Sequence, residues 1–293
     1  MNEHGIRSVT DLTTKNLEEV SQQSKLPYKD LVAIVSVLLA QYSGFPVSAE
    51  TLYETVLRST SILPTGCGGL DKILDGGLYT GEVTEVAGEI ASGKTQVCFS
   101  ITASVISQSC QNVLYIDTCG GFCAERLEEI LQTRYQQQDV SNTLEKTRYV
   151  VSHDIYSLLS ELQQLKSNIT QQSDPFYSSL KLVIIDNVAS VIYPILGGNQ
   201  SDGQGLIVQL SQLIKILAVD FSLSVLVINN VVTSEGERKA SLGRVWSYVP
   251  HNRIIISSPG EHHRQLMLVK SSRAVIGQTA NFMISEKGCI DVG

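Results

Sequence analysis

The sequence has no hydrophobic run long enough to cross a bilayer and no excess of positive charge. Its longest apolar stretch, Leu31–Ala40, is about half of the roughly 20 residues that a membrane-spanning helix needs, so we expect a core helix there and no membrane partner. The formal net charge of −7 argues against tight autonomous binding of nucleic acid, because domains that grip nucleic acid alone are usually basic. The opening segment MNEHGIRSVT lacks the apolar region of a secretory signal.

Cysteine pairs of the metal-binding kind are also missing. The six cysteines are scattered, and although Cys119 and Cys123 lie four residues apart, no second pair has zinc-finger spacing. In a chain of this size without a secretory signal, we expect reduced thiols that act as small buried or turn residues. A metal site built on these cysteines is the minor alternative.

Three segments are predicted along the chain. Residues 1–43 carry apolar side chains mostly at i, i+3 and i+4 spacing, which indicates a small helical module. The residues leave open whether this module touches a DNA backbone or docks on a partner. Residues 44–59 include Gly44 and Pro46 and are predicted to form a linker. Residues 60–293 are predicted to form the core, where short β-rich runs alternate with helical segments.

The core is predicted to be an α/β structure. Continuous apolar runs such as LVII and VLVI indicate strands buried on both faces, and hence a mainly parallel sheet between helices. The last strands lack intervening helices, which predicts an antiparallel extension of the sheet. The predicted strands are Gly81–Ala87, Asn112–Asp117, Thr147–Val151, Lys181–Asp186, Ser224–Asn229, Asn252–Ser257, Arg264–Lys270, Ala280–Ser285 and a short strand near Ile290.

A G-x-x-x-x-G-K-T motif follows the first of these strands and precedes a helical stretch. In this context the backbone N–H groups curl around phosphates, and the helix N-terminus adds positive potential. Lys94 would neutralise the β- and γ-phosphate oxygens, and the Thr95 hydroxyl would bind Mg²⁺. A chance glycine loop is the minor alternative. The predicted phosphate-binding residues are Gly88, Glu89, Ile90, Ala91, Ser92, Gly93, Lys94 and Thr95.

Asp186 ends the hydrophobic strand in KLVIIDNVAS. An acid in this position binds Mg²⁺ directly or through water in ATPases that carry such a phosphate loop. Buried strands that end in aspartate are common, so Asp186 alone is weak evidence for a Mg²⁺ site. Together with the phosphate-binding motif Gly88–Thr95, it becomes strong evidence. We therefore predict ATP and Mg²⁺ as cofactors.

Several longer stretches resemble the RecA-type recombinases of eukaryotes and archaea. They are TGCGGLDKILDGGLYTGEVTEVAGEIASGKTQVC, VLYIDTCGGFCAERL, LVIIDNVAS and LGRVWSYVPHNRIII. The resemblance covers nearly the whole chain and points to the paralogue branch of the family. It implies a RecA-type P-loop ATPase core, preceded by a small helical module that looks shorter than the family norm.

The resemblance also implies roles for single residues. Arg126 corresponds to an arginine that packs on the adenine, and Asn230 occupies the place of a glutamine that senses the γ-phosphate. It implies DNA-facing loops near Gly197–Gly205 and Thr233–Gly243. Phe45, with Ala49, corresponds to a linker pair that inserts into a neighbouring subunit, although Phe45 packed on its own domain is the alternative.

Cys119 is the main departure from the family pattern. The resemblance implies a water-orienting glutamate at this position, at the end of the strand next to the phosphate-loop strand. A thiol is mostly neutral at pH 7 and is a poor acceptor for water, and Asn187 after the metal-binding acid is not a carboxylate either. Asp117 is on the same strand face and is a poor substitute. We expect slow hydrolysis; a nucleophilic role for Cys119, with His153 as its base, is a remote alternative.

Basic charge is concentrated near the C-terminus. Residues 233–275 carry a net charge of +4, with His counted as neutral, which leaves −11 on the rest of the chain. Phosphate contacts from this region would be salt-sensitive, and the alternative is an ordinary solvated surface. Lys270 and Arg273 are also candidates to approach a neighbour's nucleotide. The predicted DNA or partner residues are Arg238, Lys239 and Arg244, together with Asn230, Phe45 and Ala49.

The resemblance implies a nuclear ATP-binding subunit that acts in homologous recombination repair of DNA double-strand breaks and interstrand crosslinks. It would assist assembly of the recombinase on single-stranded DNA within a hetero-complex. The implied neighbours are the C paralogue and the second X-ray-repair cross-complementing paralogue, with weak binding to single-stranded or branched DNA by the chain alone. Two alternatives remain open: an autonomous DNA-dependent ATPase that remodels DNA, and a scaffold that needs no nucleotide.

Overall fold

The computed structural model forms two compact units, Met1–Arg58 and Ser59–Gly293. Six cysteines are free thiols, of which Cys67, Cys98 and Cys289 are buried. Within the described parts of the chain, no helix combines the length and the apolarity needed to cross a membrane. The structure describes residues 12–13, 15–24, 26–42, 44, 46–172, 174–196, 200–234, 237–258, 260 and 263–292.

In its described residues from Lys15 onward, the N-terminal unit forms α1 (Leu17–Ser24), α2 (Tyr28–Tyr42) and α3 (Ala49–Ser59), the last of which ends at the unit boundary. Its small core consists of four buried apolar side chains with Leu17 and Leu38 packed against them. The four buried residues are Leu12, Val20, Leu31 and Val35. Burial of four aliphatic side chains contributes about 6–12 kcal/mol, which is small beside the conformational entropy of about 1–2 kcal/mol lost for each ordered residue.

Helix α3 lies inside the segment that we predicted to be a linker, and the sequence analysis missed it. Ser48 starts the helix, because its hydroxyl accepts the backbone N–H of Thr51 at 3.0 Å. Glu54 and Arg58 form an i, i+4 ion pair along its surface. Ala49 is its first residue and is exposed, whereas Phe45 lies outside the described residues.

The second unit is built on a ten-stranded sheet in the order β12-β11-β10-β9-β3-β7-β6-β4-β5, with β8 paired to β7. Its strands are β3 (Val83–Gly88), β4 (Asn112–Asp117), β5 (Thr147–Val151), β6 (Leu180–Asp186), β7 (Ser224–Ser234), β8 (Glu237–Ala240), β9 (Asn252–Ser257), β10 (His263–Lys270), β11 (Thr279–Ser285) and β12 (Gly288–Asp291). The pairs from β9 through β3, β7, β6 and β4 to β5 are parallel. The pairs among β9, β10, β11 and β12 are antiparallel. The predicted parallel sheet with an antiparallel extension is confirmed.

Helices cover both faces of this sheet. They are α4 (Gly68–Ile73), α5 (Lys94–Ser104), which continues as a π-helical turn to Ser109, α6 (Ala124–Tyr135), α7 (Val140–Leu144), α8 (Ile155–Gln171), α9 (Pro175–Ser178), α10 (Val188–Leu196), α11 (Gln200–Val219) and α12 (Gly243–Ser247). A two-stranded sheet of β1 (Ile62–Leu63) and β2 (Leu78–Tyr79) precedes β3.

The apolar strands divide their side chains between two cores. On β6, Leu182 and Ile184 belong to one core, and Val183 and Ile185 belong to the other. This alternation follows from the two-residue period of a strand. It explains why the run LVII is continuous rather than alternating, since helices bury both faces.

The prediction of a loop at 233–243 is wrong for the described residues up to Ala240, which form strands. Strand β7 continues to Ser234 and pairs antiparallel with β8, with Val231 opposite Ala240 and Val232 opposite Lys239. The hairpin is then followed by α12. Similarly, α11 begins at Gln200, so most of the predicted loop Gly197–Gly205 is helical and residues 197–199 lie outside the described part.

Candidate nucleotide-binding site

The carboxyl ends of the central parallel strands bring the predicted site residues to one edge of the sheet. Gly88 at the end of β3 pairs with Asn230 on β7. Asp117 at the end of β4 pairs with Asp186 at the end of β6. Ligands of open α/β sheets bind in the crevice beyond these strand ends, so the edge is the candidate site.

The phosphate loop connects β3 to α5 and depends on two glycines. A Cβ atom at Gly88 would lie 2.5 Å from the Ser92 hydroxyl oxygen, and one at Gly93 would lie 2.7 Å from Ile284 Cδ1. Gly93 also has a φ of +101°, a left-handed conformation that glycine adopts without steric cost. The backbone therefore turns tightly enough to direct N–H groups into the loop at the N-terminus of α5.

Lys94 lies inside this loop. Its Nζ donates hydrogen bonds to the carbonyl oxygens of Gly88 at 2.9 Å and Glu89 at 2.7 Å. Only 8% of Lys94 is exposed. Burial lowers the pKa of the ammonium, and the negative charge of Asp186 opposes that shift. The side chain is thus placed where a phosphate anion would be a better partner than the two carbonyls.

Thr95 and Asp186 are in hydrogen-bond contact beside the loop. The Thr95 hydroxyl donates to Asp186 Oδ2 at 2.7 Å, and the Tyr115 hydroxyl donates to the same oxygen at 2.8 Å. Burial raises the pKa of Asp186, while the two hydroxyl groups act in the opposite direction. Ligand oxygens on adjacent octahedral positions of Mg²⁺ lie about 2.9 Å apart, given metal–oxygen bonds of about 2.0–2.1 Å. The oxygen pair therefore fits this ion.

A cleft of about 280 Å³ lies at this loop, with Ile284 of β11 as its wall opposite the loop; it is lined by Ala91, Ser92, Gly93, Lys94, Thr95, Gln96 and Ile284. Next to it, Arg126 of α6 donates its Nε to Gln96 Oε1 at 3.0 Å. The guanidinium also binds Glu129 and the carbonyl of Ser285. These partners hold the planar group beside Gln96, which lines the cleft.

The strand that carries Cys119 is not a spatial neighbour of the phosphate-loop strand. We expected it next to β3, but β7 and β6 lie between β3 and β4. Strands β3 and β4 are consecutive along the chain, but the crossover through α5 places β4 on the far side of β6. Consecutive strands are therefore not neighbours in this sheet. Cys119 therefore follows a strand that pairs with β6, the strand that ends in Asp186, and its thiol is exposed.

Asp117 is occupied by the turn that follows it. Its Oδ1 accepts the backbone N–H groups of Cys119 and Gly120, and its Oδ2 accepts that of Phe122, each at 2.9 Å. Burial alone would raise the pKa of Asp117, but these hydrogen bonds outweigh it, and the pKa lies below its ordinary value. The carboxylate positions the Cys119 turn, and it is a weak proton acceptor.

Amides occupy the other positions around the site. The Thr118 hydroxyl accepts the N–H of Asn187 at 2.7 Å, and its oxygen lies 2.6 Å from the Ser190 hydroxyl oxygen. Asn187 Nδ2 lies 3.5 Å from Asn230 Oδ1. Neither amide can accept a proton as a carboxylate does.

We predict that Asp117→Asn destabilises the protein by about 1–3 kcal/mol at pH 7, because a charged acceptor of three partly buried N–H groups becomes neutral. Folding lowers the pKa of Asp117. The stability that its charged carboxylate gives to the protein is therefore fully present above the pKa of the unfolded state, about 3.9, and is lost as the pH falls through the pKa of the folded state. The difference in Tm between wild type and variant should therefore be constant from about pH 5 to 7 and should decrease towards zero below about pH 4. Thermal melts across this range measure it.

The matched control is Asp139→Asn. Asp139 is exposed and caps α7 by accepting one backbone N–H, from Asn142. Asparagine caps helices about as well as aspartate, so this variant should melt within about 1 °C of wild type. If the two variants behave alike at pH 7, the turn does not depend on the charge of Asp117.

Four of the lysines and arginines in residues 233–275 have internal partners, among them Arg264, which donates to the carbonyls of Gly260 and His263 at 3.1 Å. Arg253 pairs with the buried Glu85, and Lys270 donates to the carbonyls of Ser247 and Pro250 at 2.9 and 2.6 Å. Arg273 binds Glu82 and lies over the ring of Tyr79.

Lys239 and Arg244 are exposed, and the side chain of Arg238 lies outside the described part of the structure.

The family model of Rad51 matches residues 57–292, and the model of the RAD51D N-terminal domain matches residues 1–41. The chain belongs to the Rad51 family. It is 45% identical to the mouse protein named DNA repair protein RAD51 homolog 4, over 93% of this chain and 85% of the mouse protein. The bovine protein of the same name is 46% identical, over 87% and 79%. The archaeal DNA repair and recombination protein RadA of Aeropyrum pernix is 26% identical, over 99% and 91%.

These matches confirm the predicted RecA-type recombinase family and its D paralogue branch. Rad51-family proteins are ATP-binding proteins, and the family model covers the whole of the cleft described above.

Sequence reasoning missed Glu85, which is fully buried at the centre of β3. The signal was present, since a glutamate in the middle of an apolar strand needs a buried partner.

Proposed function

We propose that this chain is an ATP-holding subunit of a recombinase-paralogue complex. One observation carries the proposal. The side chains suited to binding phosphate and Mg²⁺ lie together, whereas the position expected to orient the attacking water has no carboxylate that is free to take a proton. Lys94, Thr95 and Asp186 serve binding, while Cys119, Asn187 and Asn230 offer thiol and amide groups only. Asp117 is committed to the turn.

The chain's residues would hold the nucleotide as follows. The N–H groups of the loop Gly88–Thr95 and the ammonium of Lys94 contact the phosphates, and Arg126 is held beside the base. Thr95 and Asp186 offer oxygens to Mg²⁺, which neutralises phosphate charge when it is bound.

Hydrolysis needs a group that orients water and takes its proton. Loss of a general base costs about 10²–10⁴ in rate, while binding requires no such group. Retention of ATP is therefore favoured over turnover, and the nucleotide acts mainly as a stabilising ligand.

The biological role follows from the relatives. Proteins named DNA repair protein RAD51 homolog 4 are similar to this chain along most of its length. We propose that it acts in the nucleus, in homologous recombination repair of double-strand breaks and interstrand crosslinks, by assisting recombinase assembly on single-stranded DNA. The proposed partners are the C paralogue and the second X-ray-repair cross-complementing paralogue. The exposed helix α3, with Ala49, supplies a surface for such a neighbour.

We predict that Lys94→Ala removes the thermal stabilisation that ATP and Mg²⁺ give to the wild type. A ligand at 100 times its Kd stabilises by about 2.7 kcal/mol, which for a domain of this size corresponds to a shift of about 5–10 °C. Thermal melts with and without ATP and Mg²⁺ compare the shift within each protein, so a change in the intrinsic stability of the variant does not interfere.

The control is Lys166→Ala on the exposed surface of α8, which should keep the full shift. Co-purification with the two paralogues in ATP gives a second readout. If Lys94→Ala keeps the thermal shift and the partners, nucleotide is dispensable and the chain is a scaffold.

A further inference from the structure

Tyr115, a buried residue of β4, is in direct contact with the carboxylate that is proposed to bind Mg²⁺. Its side chain is fully buried, and its hydroxyl donates to Asp186 Oδ2 at 2.8 Å. A buried tyrosine hydroxyl usually finds a hydrogen-bond partner, but a backbone carbonyl would satisfy it as well. The choice of Asp186 as the partner therefore calls for an account of its own.

The register of the sheet makes this contact possible. Strand β4 pairs in parallel with β6, with Tyr115 opposite Ile184 and Asp117 opposite Asp186. Asp186 is thus two residues further along its strand than the residue opposite Tyr115, which corresponds to about 6.6 Å of strand length. A side chain must be long to span that offset, and tyrosine combines the length with a donor at its tip.

Neighbouring aromatic rings fix the direction of the Tyr115 side chain. Its ring stacks on that of Phe99 in α5, with centroids 6.0 Å apart and planes inclined by 18°. On another side it packs against Phe122, with centroids 4.9 Å apart and planes inclined by 59°, and Phe122 stacks on Tyr149 of β5 at 4.6 Å. Because the interior is closely packed, the core sets the position of the Tyr115 hydroxyl, independently of any nucleotide.

One carboxylate oxygen of Asp186 accepts two hydroxyl groups from different elements. Thr95 of α5 donates to Oδ2 at 2.7 Å, and Tyr115 of β4 donates to the same oxygen at 2.8 Å. Asp186 is only 6% exposed, so these hydroxyl groups matter more than water does. Thr95 is itself a proposed ligand of Mg²⁺, whereas Tyr115 has no such role. Tyr115 is therefore the donor whose only task at this site is to hold the carboxylate.

We propose that Tyr115 is a positioning residue for Mg²⁺, because its hydroxyl holds Asp186 in the orientation that binds the ion together with Thr95. Carboxylates that bind metal ions are in turn hydrogen-bonded, and loss of such a partner commonly costs about 10–100-fold in metal affinity. The inference rests on the proposed binding of ATP and Mg²⁺. It adds a residue that acts on the ion through Asp186.

The test uses Tyr115→Phe, which removes the hydroxyl and keeps the ring that packs on Phe99 and Phe122. Calorimetric titration measures the affinity of the full chain for ATP, once with Mg²⁺ and once with EDTA. The gain in affinity that Mg²⁺ gives to the wild type should fall by about 10-fold or more in the variant. The affinity in EDTA should be unchanged, which also shows that the variant is folded.

Tyr135→Phe is the matched control. Tyr135 of α6 packs against the same core as Tyr115, and its buried hydroxyl makes no hydrogen bond within the described part of the chain. Loss of this hydroxyl should leave the ATP affinity at the wild-type value both in Mg²⁺ and in EDTA. The control therefore separates the contact with Asp186 from the general effect of deleting a buried tyrosine hydroxyl.

Two results would overturn the inference. If Tyr115→Phe keeps the full gain from Mg²⁺, the hydroxyl does not position Asp186 for the ion. If the variant loses affinity equally in Mg²⁺ and in EDTA, Tyr115 supports the structure of the nucleotide site as a whole. Failure of the proposed function is distinguishable from both, because the wild type itself would then bind no ATP or would gain nothing from Mg²⁺.

Discussion

Replacing Cys119 with glutamate is expected to raise steady-state ATP turnover by about 10²–10⁴-fold, the usual contribution of a general base. The substitution places a carboxylate at the end of β4, beside the strand that carries Asp186. The thiol is exposed, so the larger side chain does not require repacking of the core. Phosphate release from the full chain, with and without single-stranded DNA, measures the change.

Cys119→Gln is the matched control, because glutamine has the length of glutamate and cannot take a proton. It should leave turnover at the wild-type rate. The double variant Lys94→Ala/Cys119→Glu should be inactive, which shows that any new activity arises in the cleft. Wild-type turnover equal to that of an active recombinase would falsify the idea that the thiol limits hydrolysis.

Glu85→Ala is expected to destabilise the protein by about 3–5 kcal/mol, because it leaves a buried cation without its partner. Glu85 is fully buried and is paired with Arg253, whose side chain is 13% exposed. The same carboxylate accepts Trp246 and Asn229, so three donors lose their acceptor together. For a protein of this size, Tm should fall by roughly 6–20 °C.

Glu54→Ala removes a glutamate from an exposed ion pair and serves as the comparison. Both side chains of the Glu54–Arg58 pair are more than half exposed, and such pairs contribute about 0.3–0.5 kcal/mol. Chemical denaturation of the two variants measures both losses. Equal losses would mean that the Glu85 network contributes no more than a surface pair.

The sheet was predictable because its strands are long enough, apolar enough and separated by clear breaks. Asn112–Asp117, Thr147–Val151 and Asn252–Ser257 have the predicted bounds, since each run of Val, Ile or Leu ends at a polar residue. The phosphate loop was equally clear, because the spacing of its glycines, lysine and threonine is fixed by the shape of a phosphate group.

Spatial order was not predictable in the same way. A run of apolar residues shows that a strand is buried, but it does not show which strands are its neighbours. The family resemblance implied a Cys119 strand next to the phosphate-loop strand, whereas β7 and β6 lie between them.

Polar segments with tertiary partners were also missed. The segment of the hairpin β7–β8 contains glycine and charged residues, which are typical of a loop. Its strand pairing depends on β7 continuing beyond the main sheet, which the residue types do not show. Helix α3 was hidden by the nearby Gly44 and Pro46. Asp117 accepts three backbone N–H groups of the turn at Cys119. A pattern of residue types does not show which way backbone N–H groups point, so this role could not be predicted.

The most direct test of the ATP-holding role is the identity of the nucleotide that the full chain retains. The protein is incubated with ATP and Mg²⁺, passed through a desalting column, and held for increasing times before the bound nucleotide is extracted and separated. We expect mainly ATP, retained at close to one per chain, and a change to mainly ADP in Cys119→Glu. Mainly ADP in the wild type at the earliest times would contradict the proposal that this site holds ATP without rapid cleavage.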